Sequence, residues 1–264
     1  GVIWDERSNS YFVCAGAQNE VFQITPVTGK LIAIKKDLNG RAFSACHSLS
    51  IDRQGQLWLL TTRDVFRYDR SREGFVHEPM PHVNGEEFFR DLAEDYEGNY
   101  WAAAYKGGLF LKPKGTHQWM VLDTGEFAYT RKVMALCADS VRQAVWIGTF
   151  SEGLFRYDLK SRRLTHIDLA ASASVSASHA LVHDIHLDRE GQLWIATHSG
   201  GLYRWSDKPG GQTEVKRFSM REGMPGNNCL ALANGAGNSI WVLSGQQLFS
   251  LTLDGKPVND PGGR

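Results

Sequence analysis

Asp188-Arg-Glu-Gly191-Gln-Leu-Trp194-Ile-Ala-Thr197, followed by Gly201-Leu202-Tyr203-Arg204, is the clearest copy of a phrase that returns along the chain. Its marker position recurs once in each copy, as Phe12, Trp58, Trp101, Trp146, Trp194 and Trp241. The spacing is about 45 residues, which is the length of one four-stranded blade of a β-propeller. The chain is therefore predicted to consist of six stacked or circularly arranged units.

The pattern inside one copy predicts four strands. His183–Leu187 and Leu193–Thr197 flank a turn at Asp188–Gly191, where the aspartate can accept backbone hydrogen bonds and glycine permits positive φ. Gly201–Trp205 and Val215–Phe218 complete the unit. We name the four strands A, B, C and D. No segment of the chain has a sustained helical period of apolar residues.

These observations predict an all-β fold, a β-propeller of four-stranded antiparallel blades. The chain is expected to form one domain over residues 1–264, with blades at about 1–40, 41–83, 84–125, 126–172, 173–220 and 221–264. Six encoded blades leave two alternatives, a six-bladed ring or a fragment of a seven-bladed ring. A short D strand is expected in the last blade at Lys256–Val258.

The repeated residues themselves are interpreted as scaffold. A buried tryptophan removes about 150–250 Å² from water, or on the order of 4–6 kcal/mol of gross hydrophobic stabilisation. Five such residues in equivalent positions favour a role in the core, and the aspartate of each A–B turn is assigned the same structural role. Function is then expected where the copies differ.

Composition excludes several classes of function. The chain has 29 basic and 29 acidic residues and no basic stripe, so nothing indicates nucleic-acid binding. No apolar stretch approaches the length of a membrane span. The four cysteines, Cys14, Cys46, Cys137 and Cys229, form no CxxC pair and are interpreted as buried thiols. A disulfide such as Cys14–Cys46 remains an alternative that spacing cannot decide.

The loops that precede strand A and those that join strands B and C should emerge on one face of a propeller. They carry aromatic, cationic and histidine side chains, which suit stacking on sugar rings and polar contacts to hydroxyl or carboxylate groups. This predicts a ligand-binding rim made of Phe43, His47, Phe89, Arg90, Tyr105, Arg131, Phe150, His183 and His198. Generic scaffold aromatics that cap the core are the alternative interpretation.

His179, His183, His186 and His198 are candidate metal ligands. On a strand, His183 and His186 point to opposite faces and cannot bind one ion together, whereas convergence of His179, His183 and His198 at the rim stays an alternative. Structural histidines are the favoured interpretation, and we expect no metal site, no cofactor and no catalytic residue. No nucleophile elbow or phosphate-binding loop occurs in the sequence.

The copies at Asp139–Asp158 and Asp188–Trp205, and the lead-in Phe218–Asn228, resemble the two-component regulator propeller. The resemblance covers nearly the whole chain and is weakest in the first and last copies. It implies an extracytoplasmic, periplasmic sensor domain of a bacterial hybrid two-component protein, histidine kinase or diguanylate cyclase. It also implies a following β-sandwich and signalling modules outside this chain, and a homodimeric full-length protein.

The expected function is therefore ligand sensing, with an oligosaccharide or another small molecule bound on the loop face. A protein-interaction scaffold and a propeller lyase or hydrolase remain alternatives. The chain itself is not expected to be an enzyme.

Overall fold

A computed structural model describes residues 1–14, 19–83, 85, 87–122, 132–169, 181–208 and 212–258. It has the all-β architecture of a six-bladed β-propeller, which confirms the predicted fold class. Over these residues, five of the antiparallel sheets have four strands and one has three. A single 3-10 turn, Met220–Glu222, lies between strands in the part of the chain that the structure describes. Within the described ranges, no helix has the length and apolar character needed to cross a membrane.

The chain divides into two compact units, Gly1–Val133 and Met134–Arg264. The expectation of a single domain therefore stays a prediction. Unit 1 holds sheets 1 to 3, and in each the strands pair with their neighbours in chain order. Its strands are β1 Val2–Asp5, β2 Ser10–Cys14, β3 Val21–Thr25, β4 Lys30–Ile34, β5 Cys46–Ile51, β6 Leu57–Thr61, β7 Val65–Asp69, β8 Gly74–Glu78, β9 Phe89–Glu94, β10 Tyr100–Ala104, β11 Gly108–Lys112 and β12 Met120–Val121.

Unit 2 holds sheets 4 to 6, with the same antiparallel order of strands. Its strands are β13 Val133–Asp139, β14 Ala144–Thr149, β15 Leu154–Asp158, β16 Arg163–Ile167, β17 Val182–Leu187, β18 Leu193–Thr197, β19 Leu202–Asp207, β20 Thr213–Phe218, β21 Cys229–Asn234, β22 Ser239–Ser244 and β23 Gln247–Thr252.

The last sheet differs from the prediction. A D strand was expected at Lys256–Val258, but in the described residues only a single bridge, Leu251 to Pro257, stands in its place. The Val258 N–H donates to the Ser250 carbonyl at 2.9 Å and the Thr252 N–H donates to the Lys256 carbonyl at 2.8 Å, so Pro257 lies between these bonds at a position whose N–H would point away from β23.

One hydrogen bond explains the repeated phrase. The indole Nε1 of the strand-B tryptophan donates to the carboxylate of the aspartate in the preceding turn in four copies, Trp58–Asp52 at 2.9 Å, Trp101–Asp95 at 2.8 Å, Trp146–Asp139 at 3.0 Å and Trp194–Asp188 at 2.7 Å. All four indoles are buried. The other carboxylate oxygen accepts backbone N–H groups of the turn, as Asp188 does from Glu190 and Gln192. The scaffold interpretation of these residues is therefore well supported.

The core of each unit lies between its sheets. In unit 1, Phe12 of sheet 1 packs with Leu57, Leu59 and Phe66 of sheet 2, and the opposite face of sheet 2 contributes Trp58 to the cluster shared with sheet 3. In unit 2, clusters of the same kind join sheet 4 to sheet 5 and sheet 5 to sheet 6. Sheets 2 and 5 are apolar on both faces because their strands present side chains to a neighbouring sheet on either side.

Candidate functional site: the loops before strand A and between strands B and C

The two classes of loop lie together within each unit. In unit 1 the Thr62 N–H donates to the Ala45 carbonyl at 2.9 Å, and the Phe88 N–H donates to the Thr62 carbonyl at 2.8 Å. In unit 2 the His198 N–H donates to the Leu181 carbonyl at 3.1 Å. The Thr62–Ala45 and His198–Leu181 bonds each join the loop before strand A to the B–C loop of the same sheet. The Phe88–Thr62 bond joins the loop before strand A of sheet 3 to the B–C loop of sheet 2.

A β-bulge marks the start of strand A in four sheets. The pairing with strand B skips one residue in each, and the residue skipped is His47, Arg90, His183 or Leu230. A bulge leaves its extra residue unpaired and redirects the side chain, and bulges are over-represented next to functional sites. Three of the nine rim residues, His47, Arg90 and His183, therefore share one structural position.

A cleft of about 670 Å³ opens on the loop face of unit 1. Its volume falls within the range of small-molecule sites, roughly 300–1,000 Å³. Every lining residue comes from a B–C loop or from a loop that precedes strand A. We call this the blade 1–2 cleft, and it is lined by Asn19, Arg41, Ala42, Phe43, Ser44, Ala45, Thr62, Arg63, Asp64 and His82.

The polar wall of the cleft is organised around Asp64. Its Oδ1 atom accepts from the Arg41 guanidinium at 2.8 Å and lies 2.8 Å from Nε2 of His77. The carboxylate is largely buried, whereas the Arg41 side chain is half exposed. Asp64 thus fixes a cation at the edge of the cleft and leaves part of its guanidinium facing solvent.

A buried carboxylate supports the far side of the same cleft. Glu87 is fully buried and accepts from the backbone N–H groups of Val83 at 2.9 Å and Gly85 at 3.2 Å. It also lies 3.4 Å from Nδ1 of the exposed His82, which lines the cleft. A buried carboxylate with these partners fixes the backbone N–H groups of Val83 and Gly85 beside the cleft.

An aromatic and cationic group adjoins the cleft through Thr62. His47 Nε2 lies 2.9 Å from the Thr62 hydroxyl, and its ring packs against Phe88 with centroids 5.6 Å apart. The Lys106 ammonium lies 4.9 Å from the centre of the Phe88 ring. Burial, with the nearby Arg90 charge as a smaller contribution, holds the pKa of His47 below its ordinary value. The imidazole is therefore biased towards the neutral form.

Tyr105 lies on the same face of unit 1. Its ring receives the Lys132 ammonium at 5.0 Å from the centroid, and its N–H donates to the Phe88 carbonyl at 3.0 Å. Arg90 is exposed at the bulge of sheet 3. Thus His47, Arg90 and Tyr105 all occupy the loop face of unit 1, in the neighbourhood of the blade 1–2 cleft.

Two rim residues of unit 1 belong to the core instead. Phe89 is 0% exposed and packs on Phe110 with centroids 5.3 Å apart. Phe43 is 2% exposed and packs edge-on against Phe66 at 4.9 Å. Phe89 therefore offers no ring face to a ligand, and Phe43 reaches the cleft only as part of its floor. Both rings are buried because they pack against the apolar faces of the neighbouring sheets.

The rim residues of unit 2 form a separate group. His183 and His198 pack together, with His183 Nε2 3.4 Å from His198 Nδ1. Phe150, on the B–C loop of sheet 4, is 38% exposed. Arg131, the ninth predicted rim residue, and His179 lie outside the described residues. Among the residues that are described, no three His, Cys, Asp or Glu side chains are grouped closely enough to hold a metal ion.

Two loop residues that are not among the nine predicted rim residues are important in the geometry of the site. Phe88 has φ 54°, an uncommon backbone conformation for a bulky residue, and presents its half-exposed ring to His47. Asp64 organises the cleft wall. Of the two adjacent phenylalanines the sequence favoured Phe89, and only the strained turn before strand A shows that Phe88 is the one at the surface.

Solved structures with the same fold support the resemblance found in the sequence. The extracellular domain of the hybrid two-component system BT3049 from B. thetaiotaomicron superposes with a TM-score of 0.74 at 20% identity, over 96% of this chain and 32% of that domain. The corresponding domain of BT4673 from the same organism gives a TM-score of 0.61 at 17% identity, over 97% of this chain and 40% of that one. The chain thus spans less than half the length of either domain.

A propeller enzyme has the same fold. A catalytically inactive virginiamycin B lyase from Staphylococcus aureus, solved with quinupristin, gives a TM-score of 0.68 at 11% identity, over 94% of this chain and 78% of the lyase. No protein-family model matches the chain, and no curated protein matches its sequence. The predicted resemblance to extracellular sensor propellers is thus confirmed as a likeness of fold, which alone does not separate sensors from enzymes.

Proposed function

We propose that this chain is the ligand-sensing propeller of an extracytoplasmic bacterial signal-transduction protein. The observation that carries the proposal is the blade 1–2 cleft, because all of its walls are loops of the two classes in which the repeats differ. The extracellular sensor domains that share the fold support the same assignment. Its output would pass to kinase or cyclase modules of a homodimeric full-length protein.

The ligand class that fits the cleft is an oligosaccharide or a similar polyhydroxylated molecule. The cleft offers donors from Arg41 and Arg63, an acceptor from Asp64, and groups of both kinds from Ser44 and Asn19. Sugar hydroxyls donate and accept at once, so a mixed lining of this kind suits them. Phe43 supplies an apolar floor, and the adjoining Phe88 ring offers a surface on which a further sugar ring could stack.

The test is a thermal-shift screen of the chain against defined oligosaccharide fragments, followed by calorimetric titration of the fragments that stabilise it. A ligand present at about 100 times its Kd should stabilise the folded state by about 2.7 kcal/mol. Arg63→Ala removes an exposed cation from the cleft wall and should weaken binding at least several-fold. Lys30→Ala is the matched control, since Lys30 is exposed at the C–D turn of sheet 1.

If Arg63→Ala and Lys30→Ala lower the affinity equally, or if neither lowers it, the ligand does not bind in the blade 1–2 cleft. Binding to Arg90→Ala then tests whether the ligand contacts the bulge of sheet 3. If Arg90→Ala alone weakens binding, the ligand is centred on the His47–Phe88 group and not on Asp64.

A propeller lyase is the second candidate, and the neighbouring lyase structure together with the His183–His198 pair favours testing it. A histidine pair on the loop face could move a proton during ring opening or elimination. Incubation of the protein with quinupristin and mass analysis of the product decides the matter. Turnover that is lost in His198→Ala would establish the lyase, and unchanged quinupristin would count against this substrate.

A further inference from the structure

Two cysteines from different sheets meet in the core of unit 1. Cys14 is the last residue of β2 and Cys46 the first residue of β5, so one belongs to sheet 1 and the other to sheet 2. Both are buried in the same apolar cluster, together with Phe12 and Val21. The pKa of each thiol is governed chiefly by the other thiol, so the two side chains lie against each other. Side chains in such contact can form a disulfide after a small movement.

The backbone on each side of the pair is held in place. The Gly1 backbone nitrogen donates to the Cys14 carbonyl at 3.0 Å, and the Cys14 N–H donates to the Gly1 carbonyl at 2.8 Å. A Cβ placed on Gly1 would lie 3.7 Å from the Leu49 nitrogen, so the end of sheet 1 lies directly beside β5. The Cys46 thiol also lies 3.6 Å from the Ser44 carbonyl. The positions of both cysteines therefore rest on paired strands of their own sheets.

The two thiols differ in acidity. The hydrogen bond from Cys46 lowers the pKa of Cys14 despite the burial of that group. The same contact, together with burial, raises the pKa of Cys46 well above its ordinary range. Cys14 is thus the thiol that ionises first, and the thiolate is the form that attacks a disulfide.

We propose that Cys14 and Cys46 are an oxidisable pair that forms a disulfide between sheets 1 and 2. The oxidant is a disulfide of the glutathione or thiol–disulfide oxidoreductase class. The Cys14 thiolate attacks one sulfur of that disulfide and expels the other as a thiolate, which leaves a mixed disulfide on Cys14. Cys46 then gives up its proton and attacks the Cys14 sulfur, expelling the second thiolate. Two protein thiols are oxidised, and one external disulfide is reduced to two thiols.

The position of the pair gives the bond a structural effect. Sheet 1 packs on sheet 2 through the face that carries Phe12 and Cys14. Its other face exposes Val2, Trp4 and Tyr11 to solvent, so sheet 1 is supported mainly from the side of the cysteines. A covalent link there restricts separation of the two sheets and closes a long loop in the unfolded chain. This inference is independent of what binds in the blade 1–2 cleft.

Thiol counting on the whole chain tests the proposal. The reduced protein is exposed to oxidised glutathione, freed of reagent, unfolded and alkylated. We expect the number of alkylated cysteines to fall from four to two. A non-reducing tryptic digest should then contain the peptide of residues 8–30 joined to that of residues 42–53, and dithiothreitol should separate them. The oxidised protein should also unfold at a higher temperature than the reduced protein.

Variants separate this pair from the other two cysteines. Cys137→Ser and Cys229→Ser should each still lose two thiols on oxidation, whereas Cys14→Ser should lose none to an internal disulfide. If Cys14→Ser fails to fold, the peptide map of the wild-type protein decides alone. Four thiols that all remain reactive, glutathione that stays attached without an internal bond, or a bond that includes Cys137 or Cys229 would each overturn the proposal.

Discussion

The indole Nε1 of Trp194 donates a hydrogen bond of 2.7 Å to the carboxylate of Asp188, and both residues are buried. The same aspartate accepts two backbone N–H groups of its turn through its other oxygen. A single carboxylate therefore closes the A–B turn and satisfies the one polar atom of the largest core side chain. This explains why aspartate, glycine and tryptophan recur together at a fixed spacing.

Replacing Trp194 with alanine should lower stability sharply. The side chain is fully buried between sheets of unit 2, so its removal leaves a large cavity and should cost about 3–5 kcal/mol. Thermal or urea unfolding measures the loss. Trp241→Ala is the matched comparison and should cost less, roughly 1–3 kcal/mol, because Trp241 is only partly buried and its sheet has Asn234 where the other copies have aspartate. Equal losses would contradict this account of the repeat.

Replacing Asp188 with alanine should destabilise the fold without creating a large cavity. The Trp194 N–H loses its acceptor inside the core, and the Glu190 and Gln192 N–H groups lose theirs at the turn. The expected cost is on the order of 2–3 kcal/mol, mainly from the buried indole N–H. Asp188→Asn retains one acceptor oxygen for the indole but turns its NH2 group towards the N–H groups of the turn, so it should cost less than Asp188→Ala but still destabilise the fold. Denaturant midpoints of the three proteins give the comparison, and an Asn variant as unstable as the Ala variant would argue against the hydrogen bond as the cause.

Much of the scaffold could be predicted because its residues obey a strict period. Trp58, Trp101, Trp146 and Trp194 stand at one position of each copy, and their aspartates stand at another. A repeated apolar marker fixes strand B, and the strands on either side follow from alternation and turn residues. The last copy follows a weaker pattern, and in the described residues its D segment forms a single bridge instead of a strand.

The candidate site was harder to predict because it depends on register. A bulge at His47, Arg90 or His183 shifts pairing by one residue, and a shift of one residue sends a side chain to the opposite face. Strict alternation cannot show where a bulge falls. Phe88 and Phe89 illustrate the consequence, since one lies at the surface beside His47 and the other in the core.

Replacing Gly201 with alanine should disrupt the B–C loop of sheet 5. Gly201 has φ 89°, and a Cβ there would lie 2.3 Å from the Phe218 carbonyl oxygen, which belongs to backbone and cannot rotate away. We expect a loss of about 3 kcal/mol or more, as for a residue forced into an incompatible conformation. Gly237→Ala is the control, because Gly237 has φ 59° with no atom within 4 Å of the added Cβ. Its cost should be only the left-handed backbone penalty of about 1–2 kcal/mol.

Acidification should destabilise the protein partly through His47. Burial lowers the pKa of this imidazole in the folded state, so the folded protein holds fewer protons at His47 than the unfolded chain. Stability is therefore present above the unfolded pKa of about 6.5 and is lost as pH falls through that value towards the lower folded pKa. His47→Gln keeps a polar group beside the Thr62 hydroxyl but cannot titrate.

The measurement is the melting temperature between about pH 7.5 and pH 5.5, the window that brackets the ordinary histidine pKa. The fall in Tm across this window should be smaller in His47→Gln than in the wild-type protein. His117→Gln is the control, since His117 is exposed, and its fall should match the wild type. If His47→Gln instead follows the wild-type curve, the imidazole at the bulge of sheet 2 is as well solvated as an ordinary surface histidine. The neutral form of His47 would then not be favoured by its position beside Phe88 and Arg90.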